Sequence, residues 1–464
     1  MSLPALRRYQ AEIARAILSR IASGEGGSIS VEVARQGGKN ETSAQVELFT
    51  LVSHANTGGT IVKCAPTLRP QVFISLDRLE SRAIEAGFAS AVHRTSTSLR
   101  CDRSAAHFLS AERHANVVGH TADLLLEVDE AQDVDPEKFD RDFRPMAAAS
   151  NAPVVYYGTP WGPNSLLAQA RAHHVALERR GGRRCHFHID WEQVAASHPP
   201  YRQYVEAERE RLGERHPLFR TQYLLEEVAD AGRMFDPATL AQIEGDYERR
   251  HLPQPGERYV AGLDLAGPAL DGRVSDDRDR TVLTIARVVR RSRPADGSPL
   301  PTVEVVEHQS WQGAPTESLL QALADRLRRV WRIGRLAVDA TGLGAPITDL
   351  LAGALGRGVV EPVVFTSERK SRLGYGLLAA AHAGRLRLYR QDHTADRALC
   401  RAELALARAS YGTGRLMQFD VDPSEGHDDY VMSLALAVHA AGVDGGPRVA
   451  RGRSTDGATD GGVR

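Results

Sequence analysis

The stretch SISVEVARQGGKNETSAQVELFTLV, residues 28–52, constrains this fold more than any other segment. Its β-branched opening reads as a buried strand, Arg35–Gly38 as a turn, and the run from Lys39 as a helix. A phosphate-binding loop needs those parts in that order: a buried strand, a loop of exposed backbone N–H groups, and a lysine at a helix start whose amino end favours anions. The consensus fails twice, with Val33 at the first glycine position and Asn40 where Ser or Thr normally holds magnesium. A Gly-Gly-Lys turn opening a helix is also common without any ligand, so the rest of the chain has to decide its meaning.

LRRYQAEIARAILSRI, residues 6–21, has helical spacing, and the apolar runs GTIVKCAP, LLLEVDEA and APVVYYGTP alternate with helix-like stretches such as RPQVFISLDRLESRAIEAG. This alternation predicts an α/β first half with a mainly parallel sheet. The chain turns polar and proline-bearing toward HLPQPGERY, which places one unit at 1–230, a linker at 231–257 and a second unit at 258–441. The tail 442–464, rich in Gly, Asp and Arg without periodicity, is expected to be disordered. With 58 basic and 59 acidic side chains, any polyanion must be met by a local patch rather than by bulk charge. Four cysteines without C-x-x-C spacing argue against a disulfide scaffold or a structural zinc site, and fit a reducing intracellular compartment. No signal-peptide core is expected at MSLPALRRYQ, and VMSLALAVHAAGV is too short to span a membrane.

LLLEVDEAQDV supplies the company the loop needs. Asp129 and Glu130 fall where that strand should end, at the sheet edge where α/β proteins bind ligands. Asp129 is placed to hold magnesium through its water shell, and Glu130 to polarise the water attacking a γ-phosphate. VVYYGTP is a further strand ending in a small polar turn, with Thr159 positioned to sense that phosphate.

At these residues the sequence resembles the large terminase subunit of tailed bacteriophages, whose loop often carries Arg and Gln before Gly-Lys, as ARQGGKN does here. The resemblance implies a P-loop ATPase of the RecA/ASCE type that moves double-stranded DNA, followed by a ribonuclease H-like, metal-dependent endonuclease. It assigns Arg35 to phosphate binding or cleavage, Gln36, Gly37 and Gly38 to the loop, Lys39 to the phosphates, and Gln10 to adenine reading. Asn40 would ligand magnesium through its amide oxygen, with Thr42 able to assist. FRTQYLLEEVADAGRMF is similar to the family's run into its second domain. Implied partners are ATP, Mg2+, duplex DNA, the portal protein of the procapsid, a small terminase subunit and further copies of the chain in a ring, within the host cytoplasm.

In the second half, AGLDLAG places Asp264 in a strand and LAVDATGLG does the same for Asp339; GHDDY opens an apolar helix with Asp428 and Asp429. Either strand aspartate alone means little. Ribonuclease H-like nucleases bring carboxylates from two adjacent strands and a later helix around two Mg2+ or Mn2+ ions, because hard cations need oxygen ligands. Asp428 shares the helical face of Val431, Ala435 and Val438, with Asp429 one step around, and spacing does not choose between them. Asp279 is an accessory candidate and Asp277 reads as hairpin. The histidines of CHFHID and the pair His173–His174 lack a partner cluster at zinc spacing and read as structural or exposed. A helicase-nuclease of repair or restriction, or an integrase-like strand-transfer enzyme, are the rival readings.

Overall fold

The computed structural model describes residues 3–117, 119–229, 231–266, 280–289, 300–312, 316–341 and 344–442. The expected tail beyond Gly442, Asp277 and Asp279 lie outside the described residues.

The first unit is built on an eight-stranded sheet: β1 (Ser28–Val33), β2 (Gly59–Ala65), β3 (Val92–Arg94), β4 (Ser98–Cys101), β5 (Ser104–Ser110), β6 (Leu125–Val128), β7 (Val154–Gly158) and β8 (His186–Ile189), in the order 3-4-5-2-6-7-1-8. The six strands from β5 to β8 in that order run parallel, and β3 and β4 form an antiparallel edge. Helices α1 (Arg8–Ser23), α2 (Lys39–Ser53), α3 (Phe73–Glu85) and α4 (Leu166–Arg179) pack around the sheet. Because β6, β7 and β1 are neighbours, the turns at their carboxyl ends meet at one edge. Those turns contain the Arg35–Gly38 loop, the Asp129–Glu130 pair and Thr159.

Parallel strands covered on both faces should be apolar throughout, yet buried Lys63 on β2 and Glu127 on β6 interrupt theirs. Lys63 Nζ lies 2.9 Å from Glu47 Oε1 on α2 and 3.7 Å from Glu127 Oε2. Ser43 Oγ donates to Glu127 Oε2 at 2.8 Å and the Tyr157 hydroxyl to Glu127 Oε1 at 3.0 Å. Burial disfavours charge on both acids; the Lys63 ammonium nevertheless holds Glu47 down, while Glu127 is pushed well above the carboxylate range. The network ties α2, which opens with Lys39, to the strand that ends beside Asp129.

The second unit centres on a six-stranded sheet of β10 (Tyr259–Asp264), β11 (Arg280–Val289), β12 (Thr302–Gln312), β13 (Arg335–Asp339), β14 (Val360–Val363) and β15 (Leu386–Leu388), ordered 14-13-10-11-12-15. β10, β11 and β12 are successively antiparallel, whereas β13 runs parallel to β10. The helices used below are α5 (Ser367–His382), α6 (Ala395–Leu406) and α7 (Asp429–Ala440). Buried along most of its length, α7 packs on β10, β11 and β13. A Cβ on Gly262 would collide with the Ser433 carbonyl oxygen and the Ala437 nitrogen of α7, so glycine permits this approach. The Ser433 hydroxyl donates to the Gly262 carbonyl at 3.0 Å.

A three-stranded sheet joins β9 (Ala231–Arg233) to the hairpin β16 (Arg408–Tyr411) and β17 (Met417–Asp420). Within the 231–257 stretch, β9 pairs with β16, and the Gly245 and Arg250 amides donate to the Leu388 and Val306 carbonyls. All four cysteines are buried and free. Among the described residues no helix is long and apolar enough to cross a membrane.

Candidate active sites

The loop after β1 is shaped by its own carbonyls. Tyr201 OH donates to the Arg35 carbonyl at 2.6 Å, Tyr9 OH to that of Gly37 at 2.6 Å, and Gln10 Nε2 to that of Gly38 at 2.9 Å. Gln36 and Gly38 hold positive φ values of 63° and 91°, and a Cβ on Gly38 would lie 2.6 Å from Gln10 Nε2. With these oxygens occupied, and with the Arg35 and Gly37 amides donating to the Gln222 and Ala34 carbonyls at 2.8 Å, the amino end of α2 behind Gly38 is the part of the loop placed to receive an anion. The loop lines a cleft of about 390 Å³ that includes Arg35, Gln36, Gly37, Gly38, Lys39, Asn40, Glu130 and Thr159.

Lys39 Nζ meets Glu130 Oε1 at 2.5 Å and Asp129 Oδ1 at 3.1 Å. Burial works against charge on Lys39, but the two carboxylates outweigh it and raise its pKa. Burial likewise opposes ionisation of Glu130, and the Lys39 ammonium overcomes it, holding that carboxyl at about 2. Glu130 adopts a left-handed backbone, φ 48° and ψ 48°, a rare conformation for a residue with a side chain and one found at functional sites. The side chain of Gln132 donates to Glu130 Oε2 at 2.6 Å and accepts from the Thr159 amide at 3.2 Å, linking the acidic turn to the turn after β7. A Cβ on Gly158 would collide with Gln132 Oε1, which explains the glycine before Thr159.

Gln10 and Thr42 both find partners around the loop. Gln10 is buried with both ends of its amide engaged: Oε1 accepts from the Arg7 amide at 2.8 Å while Nε2 holds Gly38. Through these two bonds it braces the loop. Thr42 is buried and its hydroxyl donates at 3.2 Å to the Gly38 carbonyl one turn back. Arg35 NH1 donates to Gln222 Oε1 at 3.1 Å, and its backbone amide donates to the Gln222 carbonyl at 2.8 Å.

At the second sheet, Asp264 ends β10 and Asp339 ends the neighbouring parallel strand β13, with Asp429 buried at the start of α7. The two strand motifs and the start of the GHDDY helix thus meet around β10 and β13. Burial pushes Asp264 well above the usual carboxylate range, and its neighbours Asp429, Asp339, Asp428 and Glu403 push it further. Glu403 on α6 rises to about 8, first through burial and then through Asp429, although it accepts the Tyr430 amide at 2.7 Å. Burial also raises Asp339 against the pull of Thr341 and Lys370. The helical-face comparison of Asp428 with Asp429 fails because Asp428 is the cap, outside the helix, with φ −115° and ψ 14°. Asp429 Oδ2 accepts the Arg280 amide at 2.8 Å, whereas Asp428 Oδ2 lies 3.9 Å from Lys370 Nζ on α5. Sequence reasoning missed Glu403 and Lys370, whose only local signal is a charge at the end of an amphipathic stretch.

His186 and His188 on β8 do find a partner. Glu32 on β1 is fully buried, with Oε2 3.1 Å from His188 Nδ1 and 3.8 Å from His186 Nε2, and this trio is the one His/Cys/Asp/Glu group among the described residues compact enough for a single ion. Arg171 on α4 lies 3.8 Å from Glu32 Oε1, giving the carboxylate a cation already. His174 is buried between Ser28 and Ser30, as a structural histidine would be.

No protein-family model matches this sequence, and no curated protein matches it. Among solved structures, the chain is similar to the large terminase of bacteriophage HK97, with 16% identity and a TM-score of 0.38 over 94% of this chain and 95% of that one. It is similar to the large terminase of a thermophilic bacteriophage in complex with ADP, with 12% identity and a TM-score of 0.49 over 94% and 99% of the two chains. It also resembles the large terminase nuclease of thermophilic phage G20c with bound magnesium, with 21% identity and a TM-score of 0.31 over 44% of this chain and 95% of that one.

Proposed function

We propose that this chain is the large subunit of a phage DNA-packaging motor: its first unit hydrolyses ATP to move double-stranded DNA into a procapsid, and its second cuts concatemeric DNA. The observation that carries this reading is the union, in one chain, of a phosphate-type loop whose lysine contacts both acids of the next motif with a separate set of aspartates on adjacent strand ends. A helicase would need a second motor lobe, and the antiparallel β10–β11–β12 ladder in the second unit does not resemble one.

In the first site, Lys39 holds the β- and γ-phosphates together with the loop amides, and Arg35 lies within reach of the same cleft. Phosphates compete with Glu130 for Lys39, and a freed Glu130 accepts the proton of the attacking water. Asn40 and Asp129 are the oxygen donors available to the magnesium that accompanies ATP, which supplies charge neutralisation of the phosphates. In the second site, Asp264, Asp339, Asp428 and Asp429 offer only oxygens, and the surplus negative charge evident at Asp264 suits divalent Mg2+ or Mn2+. Those ions would supply Lewis-acid stabilisation of the scissile phosphate. The partners this reading requires are duplex DNA, a portal, a small terminase subunit and further copies of the chain, met in the host cytoplasm while docked on the procapsid. DNA-stimulated phosphate release and plasmid cleavage, measured side by side on the wild type and Lys39→Ala, test it. Phosphate release should vanish in the variant while cleavage persists; unchanged turnover overturns the reading of the loop.

A further inference from the structure

The nucleotide cleft contains a cation that the first unit does not supply. Arg415 sits at the tip of the β16–β17 hairpin, and its guanidinium lines the same cleft as Lys39, Glu130 and Thr159. Its Nη2 lies 3.5 Å from both Asp133 Oδ2 and Thr159 Oγ1, at the outer limit of hydrogen bonding, and its Nε is buried without a hydrogen-bond partner. The guanidinium carbon stands 5.1 Å from the centre of the Trp161 ring, and the side chain is 17% exposed. This planar fork is held in place by stacking, yet its donors are only loosely engaged, a state suited to a phosphate oxygen.

The hairpin is held more tightly on the side of the second site than its tip is at the first. Tyr375 OH on α5 donates to the Arg415 carbonyl at 2.8 Å, and the Met417 amide donates to Ser371 Oγ at 2.9 Å. Arg415 is left-handed, φ 63°, a rarely adopted conformation for a residue with a side chain, which the flanking contacts hold. One residue before Ser371, Lys370 lies over the ring of Phe419 on β17 at 5.4 Å and reaches Asp428 at 3.9 Å. One short hairpin therefore touches the phosphate side of the cleft at its tip and a cation of the aspartate cluster at its stem.

We infer that Arg415 binds the terminal phosphate of ATP from the second unit of the same chain, and that the hairpin carries nucleotide state to Lys370 and the DNA-cutting aspartates. This rests on the reading of the cleft as an ATP site. ATP adds a ligand for the loosely held guanidinium; ADP does not reach it, and Arg415 returns to Asp133 and Thr159. The coupling is reciprocal, so DNA bound at the aspartates shifts ATP affinity by the same factor.

The test uses the full chain with Arg415→Ala, Arg415→Gln and, as reference, Lys39→Ala. Turnover and KM for ATP, the affinity ratio of ATP-γ-S to ADP, and plasmid nicking with each nucleotide are measured, with circular dichroism reporting the fold. Expected for both Arg415 variants are a loss in kcat on the order of a hundredfold, as for removal of one charge-stabilising donor, and a loss of the ATP-γ-S preference. The difference in nicking between the two nucleotides should also disappear. Arg415→Gln keeps the start of the aliphatic stem and a planar polar end while removing the charge, so it decides the matter if the alanine variant misfolds. Wild-type kcat, preference and nucleotide-dependent nicking in a folded Arg415 variant, with Lys39→Ala inactive, overturn the inference and leave the ATP site standing. Wild-type turnover in Lys39→Ala instead removes the ATP site itself.

Discussion

At the edge of the first sheet, Asp129 and Glu130 are met by Lys39 at 3.1 and 2.5 Å, and Glu130 stays ionised down to about pH 2. At the edge of the second, Asp264 is surrounded by Asp429, Asp339, Asp428 and Glu403, and its carboxyl is held far above the ordinary range. Both sites place acids at strand ends, but Lys39 lies within 3.1 Å of both acids of the first, whereas at the second Lys370 stands 3.9 Å from Asp428. The first cleft is electrically complete before any ligand arrives, and a phosphate enters by exchanging partners with Lys39. The second accumulates a deficit of positive charge, relieved by protons or by divalent metal. A carboxylate cluster thus announces its ligand through what neutralises it.

Removing one of the clustered acids of the second site gives the largest expected effect and breaks the comparison most directly. Asp264→Ala or Asp339→Ala should cut plasmid cleavage by on the order of a thousandfold, the loss of several kcal/mol of metal-supplied stabilisation. Phosphate release from the same preparation should stay near wild type, and loss of both activities in a folded protein would mean that the sites are not separate. Next in size, Glu130→Gln keeps the side-chain shape but removes the proton acceptor. ATP turnover should fall roughly 10²- to 10⁴-fold with nucleotide binding retained in a fluorescence titration, and normal turnover would move the base elsewhere. Gly262→Ala sharpens the contrast by disturbing one site through packing. Its methyl group meets the backbone of α7, which should cost about 1–3 kcal/mol, lower the thermal midpoint and weaken cleavage; an unchanged midpoint would show that α7 can back away. The smallest effect is expected from Asn40→Thr, which restores the usual hydroxyl and should leave magnesium-dependent ATPase equal or improved. Collapse of that activity in a folded variant would show the amide to be needed.

What was legible in the sequence follows from locality. The Lys39 loop, the Asp129–Glu130 turn and the two strand aspartates each occupy a strand end with a turn, a pattern spelled out within a dozen residues, and sheet topology then brought them together. Gln132, Glu403 and Lys370 were not legible because their roles depend on partners from other elements. The Glu32–His186–His188 group escaped for the same reason: the histidines alternate on one strand while the acid comes from its neighbour. Helical spacing left Asp428 and Asp429 undecided, and it could not place Asp428 because the helix begins one residue later, at Asp429. The bond from Gln10 to the Gly38 carbonyl was not legible either, because that partner lies far along the chain.

The buried Lys63–Glu47–Glu127 node has a consequence for how such a sequence can drift. Replacing Lys63 alone strands two acids in the interior, a loss of about 3–5 kcal/mol, whereas exchanging all three for apolar residues of matching volume is often nearly neutral. The three positions are therefore coupled in descent: a lineage must change them together or keep them together. A single-site library at Lys63, Glu47 and Glu127 should be depleted at all three, and a combinatorial library should recover folded proteins that no single step reaches.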